Sequence, residues 1–395
     1  MVEIKFRMSN NSENIKQKIC KLVESQSVQG GIASFRDFGS IVSSSVENDI
    51  KTDCPFGGPS FFIPSLVDLH VHFREPGFEQ KETIKTGSNA AIAGGYGLVC
   101  TMPNLNPAPD CLENLKVQLD IIQRNAQVRV LPYGCITKGR AGKEPAEYEE
   151  MLPYVAGFSD DGTGVEDDDL MEECMRRVAS LGGLIVAHCE KGQGDDRKRE
   201  YTEVERNIRL AKKTGCRLHL CHISTKESLY YIRKGKADRV KVTCETAPHY
   251  LLFSRPVPNS GAFRMNPPIG DEDDQKALID ALIDGTIDVI ATDHAPHTEE
   301  EKSHGFNGSA CGIVGLESAL PVMYTFFVKT GIISMERLLD LMSRNAYRIL
   351  GIEQPPYYIK VDFTTPYILD AEAFKSKGHS CPFDGLEVYG KVLRL

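Results

Sequence analysis

Apolar residues recur in two alternating patterns from residue 67 onward. Short runs rich in β-branched residues predict strands, and longer stretches with apolar residues three and four positions apart predict helices. The eight predicted strands lie at 67–72, 96–100, 128–131, 156–159, 184–188, 217–221, 240–244 and 288–292. Helices are predicted between them at 81–95, 111–126, 168–183, 201–215 and 273–285, several with a glycine as C-cap.

This alternation predicts an α/β fold in which helical crossovers join parallel strands. Eight consecutive units favour a closed (β/α)₈ barrel of the TIM type over an open sheet, since no GxGxxG follows the first strand. Two further helices are predicted at 316–331 and 335–351. We expect residues 61–352 to form the barrel with these helices. Residues 1–60 and 353–395 are less regular and are predicted to pack together as a small, trimmed satellite region.

Composition narrows the class of protein. A chain of 395 residues that is 41% hydrophobic can bury a large core, which excludes a disordered protein. The net charge is −9 and the sequence contains no block of consecutive basic residues, so nucleic acid is not expected as a partner. The twelve cysteines form no CxxC pair and are expected to be reduced. With no signal-like start and no long apolar run, we expect a cytoplasmic protein without membrane contact.

Polar residues gather at the ends of five predicted strands. They are His70, His72, Asp160, Asp161, His188, His222, Asp293 and His294. In a barrel of parallel strands these ends meet at one face, where working groups lie. His70 and His72 are two positions apart on a strand, so both imidazoles point the same way. A pair of histidines at this spacing is common by chance. It indicates a metal site here because four other predicted strands also end in histidine or aspartate.

Histidine and aspartate without thiolate ligands suit Zn²⁺ or a similar divalent cation. An all-nitrogen and oxygen set leaves a position for water, whose pKa the cation lowers, so we interpret the site as catalytic. Of the remaining histidines, His219 is interpreted as an ordinary packed residue and His304 and His379 as solvated. The role of His249 stays open.

Several of these residues stand in motifs that resemble class I dihydroorotases of the amidohydrolase superfamily. The two most specific are HVHFREPG at 70–77 and TDHAPHTEEEK at 292–302. The others are TMPNLNPAPD (101–110), FSDDG (158–162), VAHCE (186–190), CHISTKES (221–228), ETAPHYL (245–251) and MNPP (265–268), with a fainter echo in SKGHSCPFDG (376–385). The resemblance extends over residues 62–352.

The resemblance implies a metal-dependent hydrolase barrel. Its reaction would be the reversible cyclisation of N-carbamoyl-L-aspartate to L-dihydroorotate in de novo pyrimidine biosynthesis, with one or two Zn²⁺ ions. By motif, His70, His72 and Asp293 would bind the first ion, His188 and His222 the second, and Asp161 both. Asp293 would also act as general base and acid. The substrate, chiefly its carboxylate, would be bound by Arg74, Asn104, Asn266 and His297.

The residues themselves support part of this assignment. Arg74 follows His72 by two positions and would project toward the same mouth, where its planar guanidinium matches a carboxylate. Without the neighbouring HVH, a surface ion pair with Glu75 would be the default reading of Arg74. Asn104 and His297 alone would read as turn and loop residues.

Three departures from the family pattern bear on activity. Many relatives in the superfamily bridge two metals with a carbamylated lysine, whereas FSDDG offers the shorter Asp161. We therefore expect activity without bicarbonate and partial occupancy of the His188 and His222 site. The stretch between His188 and His222 is shorter and more charged than usual, and Ala310 and Cys311 replace a Pro-Phe pair. Whether either change affects activity stays open, and the second also leaves open how its loop closes over the substrate.

Two alternatives remain. One is another cyclic amidohydrolase of the hydantoinase or allantoinase type, which the absence of the lysine signature disfavours. The other is a non-catalytic scaffold for another pyrimidine enzyme, which the complete ligand set disfavours. The resemblance also implies a homodimer and an association with aspartate carbamoyltransferase.

Overall fold

The structure, a computed structural model, describes residues 13–18, 60–190, 192 and 194–393. A short helix spans residues 13–18. Most of the predicted amino-terminal satellite, residues 1–60, lies outside the described residues. The predicted domain boundaries at 60 and 353 therefore stay predictions.

Eight parallel strand positions close into a barrel, which confirms the predicted fold. One sheet contains β2 (Leu66–Val71), β3 (Tyr96–Thr101) and β4 (Arg129–Pro132), and the other contains β5 (Leu184–Ala187), β6 (Arg217–Leu220), β7 (Val242–Thr246) and β8 (Val289–Ile290). Phe158 joins the sheets by pairing with Gly134 and Ile185, and Val71 pairs with His294 to close the ring. The predicted strand at 156–159 is therefore reduced to single bridges.

Helices follow the strands. The five predicted crossover helices are present with bounds shifted by up to five residues, and a sixth, Lys226–Ala237, was not among the predicted ones. The main crossover helices are α1 (Ile84–Gly94), α2 (Leu112–Asn125), α4 (Asp168–Ser180), α5 (Asp196–Thr214), α6 (Lys226–Ala237) and α8 (Glu272–Asp284). Shorter helices are α3 (Tyr148–Met151), α7 (Pro248–Leu252), α9 (Glu299–Lys302), α10 (Gly305–Gly308), α11 (Ala319–Met323), α12 (Met335–Leu339) and α13 (Asn345–Leu350). The segments Tyr324–Val328 and Asp340–Arg344 continue α11 and α12 as π-helix.

The barrel strands form because they are apolar and covered on both faces. Every residue of β2 is buried, as is typical of strands in a parallel sheet. Val67 of β2, Leu98 of β3 and Val186 of β5 belong to one buried cluster with Tyr347 of α13. Full burial of each such side chain contributes about 2 kcal/mol, so the apolar strands stabilise the polar mouth at their ends.

A buried aspartate helps to close the ring between the first and last strands. Asp68 Oδ1 accepts hydrogen bonds from the backbone N–H of His70, at 3.0 Å, and of Thr292, at 3.2 Å. Burial raises the pKa of Asp68 to about 7, although these hydrogen bonds lower it. The carboxyl group thus fixes the two strand ends that carry His70 and Asp293.

A separate antiparallel sheet lies outside the barrel. Strand β1 (Phe61–Pro64) pairs antiparallel with β9 (Tyr358–Asp362), which also pairs with β12 (Lys391–Leu393). A further pair joins β10 (Tyr367–Ile368) and β11 (Glu387–Val388). This sheet links the segment before the first barrel strand to the carboxyl-terminal segment.

Candidate metal centre and substrate site

The pair His70 and His72 faces one carboxylate at the barrel mouth. His70 lies in β2 and His72 directly follows it. Their Nε2 atoms lie 3.4 Å and 3.2 Å from Asp293 Oδ1. Asp293 follows β8 in a left-handed conformation, with a φ of 49°. The structure therefore brings together the three residues predicted to bind the first metal.

Asp161 lies between this trio and the second pair of histidines. Its Oδ1 is 3.4 Å from His70 Nε2 and 3.3 Å from His188 Nδ1, and its Oδ2 is 3.5 Å from His72 Nε2. His222 Nε2 lies 3.8 Å from Asp161 Oδ1 and 2.8 Å from His188 Nδ1. The six predicted ligands thus converge on one centre from five strand positions.

Three of the imidazoles are oriented by acceptors on their outer side. His70 Nδ1 donates to Glu245 Oε1 at 2.7 Å, and His72 Nδ1 donates to Asn104 Oδ1 at 2.9 Å. His188 Nε2 donates to Glu190 Oε2 at 2.9 Å. Outer partners of this kind fix the tautomer of metal-binding histidines. The other nitrogen of each ring is left to present its lone pair to the centre.

The centre therefore places acceptors against acceptors. Imidazole lone pairs face the oxygens of Asp161 and Asp293, an arrangement that a cation stabilises. His70 Nε2 and Asp161 Oδ1 are both buried and have no hydrogen-bond partner within the described part of the chain. The trios His70, His72, Asp293 and His70, Asp161, His222 each bring three ligand atoms within 4.8 Å of one another. These residues fit one or two divalent cations with nitrogen and oxygen ligands.

The electrostatics of the centre favour positive charge. Burial would lower the pKa of His188, but hydrogen bonds to Asp161 and Glu190 raise it to about 10, so without a cation this ring takes up a proton on the nitrogen that faces the centre. Burial would raise the pKa of Asp161 and Asp293, but neighbouring histidines, His70 above all, hold both below their usual value. Both aspartates are therefore carboxylates at neutral pH.

Arg74 and His297, two of the predicted substrate residues, lie side by side at the mouth. Arg74 Nε donates to Pro296 O at 3.3 Å, and its Nη2 lies 3.4 Å from His297 Nε2. His297 Nε2 also lies 2.8 Å from Cys311 O, to which it donates. Burial and the cations Arg74 and Lys81 lower the pKa of His297 to about 4, so this imidazole is neutral near pH 7.

Asn104 and Asn266, the other two predicted substrate residues, contact groups that orient the metal ligands. Asn104 accepts from His72, as described above, and Asn266 Nδ2 donates to Glu190 Oε2 at 2.8 Å. The amide of Asn104 thus bonds to a histidine ligand directly, whereas Asn266 reaches His188 through Glu190. The geometry places all four predicted residues around the centre, and their roles toward substrate stay predictions.

Sequence reasoning missed the acceptors behind the histidines. Glu245 is fully buried at the end of β7 and accepts from His70 and from His219 Nε2, the latter at 3.0 Å. His219 also bonds to Thr243 Oγ1 at 2.8 Å, so it belongs to this network inside the barrel. Glu245 and Glu190 both stand in motifs of the sequence, ETAPHYL and VAHCE, and a carboxylate close to a predicted strand end was the available signal.

The remaining histidines stay outside the centre. His249 is buried and its pKa is lowered to about 4 by burial, so it is neutral. His304 is exposed, as predicted. His379 was predicted to be solvated, but it is half-buried and bonds to Glu372 Oε2 at 3.1 Å.

The carboxyl-terminal segment forms one side of the mouth. Ser376 Oγ donates to Glu82 Oε2 at 2.6 Å and lies 3.5 Å from His294 Nε2. A Cβ on Gly378 would lie 3.0 Å from His297 O, so the chain passes close to that residue. We call residues 375–378 the C-terminal wall. Ser376 and Gly378 of the faint motif at 376–385 thus lie against residues of the barrel motifs.

A closed parallel barrel with histidines and aspartates gathered at its carboxyl-terminal mouth defines the class of amidohydrolase barrels. Solved structures agree in fold. L-hydantoinase from Arthrobacter aurescens superposes with a TM-score of 0.75 at 24% identity, covering 84% of this chain and 83% of that chain. D-hydantoinase from Bacillus sp. AR9 gives a TM-score of 0.74 at 19% identity, covering 84% of both chains.

Sequence comparison places the chain within this class. A family model described as Dihydro-orotase-like matches residues 60–198. Dihydroorotase from Fusobacterium nucleatum is 42% identical over 84% of both chains. Dihydroorotase from Bacillus licheniformis is 39% identical over 98% of this chain and 94% of its own. The chain belongs to the dihydroorotase family, whose members are cyclic amide hydrolases.

No helix among the described residues is long and apolar enough to cross a membrane. All ten cysteines of the described ranges are free thiols.

Proposed function

We propose that this protein interconverts L-dihydroorotate and N-carbamoyl-L-aspartate with Zn²⁺ at the centre. The observation that carries the proposal is the convergence of four histidines and two aspartates next to the guanidinium of Arg74. The cluster suits hydrolysis of an amide, and the neighbouring arginine suits a substrate with a free carboxylate.

Nitrogen and oxygen ligands without a thiolate favour zinc or a similar borderline cation. His70, His72 and Asp293 would hold one ion and His188 and His222 a second, with Asp161 between them. When bound, the cation polarises the amide carbonyl and lowers the pKa of a water molecule. The outer acceptors Glu245 and Glu190 would keep the imidazole lone pairs directed at it.

Asp293 is suited to carry the proton of the reaction. In ring opening, Asp293 would accept a proton from the attacking water as the oxygen bonds to the ring carbonyl carbon. The carbon–nitrogen bond then breaks, and Asp293 returns the proton to the leaving nitrogen. Ring closure follows the same steps in reverse and releases water. The pKa of Asp293 lies below its usual value, so the group starts as a carboxylate.

The side chains around the centre would select and hold the substrate. Arg74 would bind its carboxylate, with Asn104, Asn266 and neutral His297 as hydrogen-bond partners at the rim. An imidazole that is neutral at pH 7 can donate from one nitrogen and accept at the other. A cyclic ureide without a carboxylate, such as hydantoin, would leave Arg74 unpaired and should be a poor substrate.

The test follows ring opening and closure by chromatography with purified protein, using dihydroorotate, carbamoyl-aspartate, hydantoin and allantoin. We expect turnover of the first pair alone, loss of turnover after chelation and recovery with Zn²⁺. Asp293→Asn should lower kcat by about a hundredfold or more, because proton transfer has lost its base.

Asp288→Asn is the matched control, because Asp288 is an aspartate just before β8 that bonds to Lys236 Nζ at 2.7 Å, away from the mouth. It should retain turnover. Preferred turnover of hydantoin or allantoin, or full activity of Asp293→Asn, would contradict the proposal.

A further inference from the structure

Lys302, at the end of α9, has a buried ammonium group that is bonded to backbone carbonyls alone. The residue as a whole is 9% exposed. Nζ donates to Arg264 O at 3.1 Å, Ala310 O at 2.7 Å and Gly312 O at 2.6 Å. No carboxylate within residues 60–190, 192 and 194–393 forms an ion pair with it. All three N–H donors are therefore committed to the backbone, an unusual use of a buried charge.

One of the three carbonyls belongs to the segment that carries Asn266, and the other two belong to the segment that contacts His297. Arg264 stands two residues before Asn266. Ala310 and Gly312 flank Cys311, whose carbonyl accepts from His297. The Gly312 N–H also donates to Arg264 O at 3.0 Å, so the two segments meet at the ammonium group.

The packing around Lys302 leaves these segments little freedom. A Cβ on Gly312 would lie 2.5 Å from Ala295 O, and a Cβ on Gly261 would lie 2.2 Å from Lys302 O. Both distances are shorter than any real contact of a Cβ atom. The backbone of each segment therefore sits directly against its neighbours, and the Lys302 ammonium group joins the two segments together with the Gly312 to Arg264 backbone hydrogen bond.

We propose that Lys302 is a positioning residue. It holds residues 264–266, which include Asn266, and residues 310–312, which contact His297, at a fixed separation for substrate binding. The inference rests on the proposed function, because the substrate is taken to contact these two segments. Lys302 itself touches neither substrate nor metal ligand. It acts by fixing Asn266 and the Cys311 carbonyl, and through that carbonyl the orientation of His297.

The ionisation of Lys302 predicts that this role depends on pH. Burial lowers the pKa of Lys302 to about 8, and the charged or titratable groups that face it are Cys311, Arg264 and Glu301. Below this pKa the ammonium has three donors for three carbonyls. Above it the amine has two donors and a lone pair, so one carbonyl loses its partner.

The test compares Lys302→Met with Lys236→Met in the full chain loaded with Zn²⁺. Lys236 is a matched control, because its Nζ donates to Thr286 O at 2.6 Å and to Asp288 Oδ2 at 2.7 Å, near the amino end of β8. We expect Lys302→Met to raise KM for dihydroorotate about tenfold and lower kcat less than threefold. Lys236→Met should lower the melting temperature and leave KM unchanged.

The pH profile separates positioning from stability. In the wild-type protein, KM should rise as pH increases through about 8, whereas Lys302→Gln, which has no proton to lose there, should lack this limb. Lys302→Gln also replaces the methionine variant if the latter does not fold. A wild-type KM in the folded variant, or an alkaline limb that persists in Lys302→Gln, would overturn the inference. Absence of dihydroorotate turnover in the wild type would instead refute the proposed function.

Discussion

Arg74 reaches the metal centre because its backbone takes an unusual conformation. Its φ is 58°, in the left-handed region, which is uncommon for a residue with a side chain. The next residue, Glu75, accepts from the Ile84 N–H at 2.8 Å and anchors the turn to α1. The chain thus bends sharply after β2 and His72, and the guanidinium is held beside His297. In the described chain Arg74 donates from Nε to Pro296 O, which leaves Nη1 and Nη2 for a ligand.

We expect Arg74→Lys to raise KM for dihydroorotate by about ten- to a hundredfold, since a lysine keeps the charge but loses the two-pronged contact. The value of kcat should fall less. Steady-state kinetics measures both parameters. Arg177→Lys is the control, because Arg177 pairs at the surface with Glu149 at 3.2 Å. An unchanged KM in Arg74→Lys would remove Arg74 from substrate binding.

Individual residues also show which contacts could be predicted from the sequence and which could not. His70, His72 and Asp293 could be predicted as partners, because strand alternation and strand ends place them without knowledge of the packing. Glu245 could not, since its bond to His70 depends on how the first and seventh strands face each other across the barrel. The role of Lys302 likewise depends on loop paths that no local pattern encodes.

At the scale of elements, the C-terminal wall is fixed by two carboxylates from the barrel. Glu82 accepts from Ser376 Oγ and from the Lys377 N–H at 3.2 Å. Glu317 accepts from the Lys375 N–H at 2.5 Å and the Ser376 N–H at 3.3 Å. Burial raises the pKa of Glu317 to about 7, although these bonds lower it.

The raised pKa of Glu317 predicts a pH-dependent stability. The unfolded value is 4.5, so between pH 4.5 and 7 the folded state binds the proton more tightly. The free energy of unfolding should therefore fall by about 3 kcal/mol as pH rises through this window. Glu317→Gln should lack this component. Urea unfolding at pH 5 and pH 7.5 measures it.

Glu113→Gln, at an exposed position of α2, is the control and should follow the wild type at both pH values. If Glu317→Gln shows the same change in unfolding free energy between the two pH values as the wild type, the carboxyl group of Glu317 does not titrate in this window.

The elements themselves were predictable to different degrees. Long helices such as α2 and α4 follow from their periodicity, and their observed ends lie within three residues of the predicted ones. The fourth strand was predicted at 156–159 but only Phe158 pairs. A Cβ on Gly157 would lie 2.7 Å from Leu184 O, so the chain there runs too close to β5 for a regular strand. Such tertiary contacts are invisible in a local pattern.

At the scale of the whole molecule, the centre is built without a lysine. Asp161 stands between the two groups of histidines, and the lysines of the preceding segment, Lys138 and Lys143, are both exposed. A short carboxylate thus occupies the place where many relatives in the superfamily use a carbamylated side chain.

We therefore expect activity that does not change when bicarbonate is removed, and loss of activity on chelation. Metal analysis after gel filtration should give one tightly held ion and a second below full occupancy, because Asp161 is too short to hold both strongly. Wild-type protein refolded with and without bicarbonate is the comparison. Two tightly held ions, or a carbamylated lysine in the mass spectrum, would contradict this expectation.

The C-terminal wall has a consequence for the order in which the enzyme becomes competent. Residues 375–378 leave the ribosome well after Asp293, the last residue of the metal centre, has been made. We expect that a nascent chain could close its ring of strands and bind a divalent cation while the pocket beside His297 still lacks one side. Catalysis would then require residues 375–378 to have left the ribosome and packed against the barrel, so we expect chains that end before residue 375 to bind the cation without turnover.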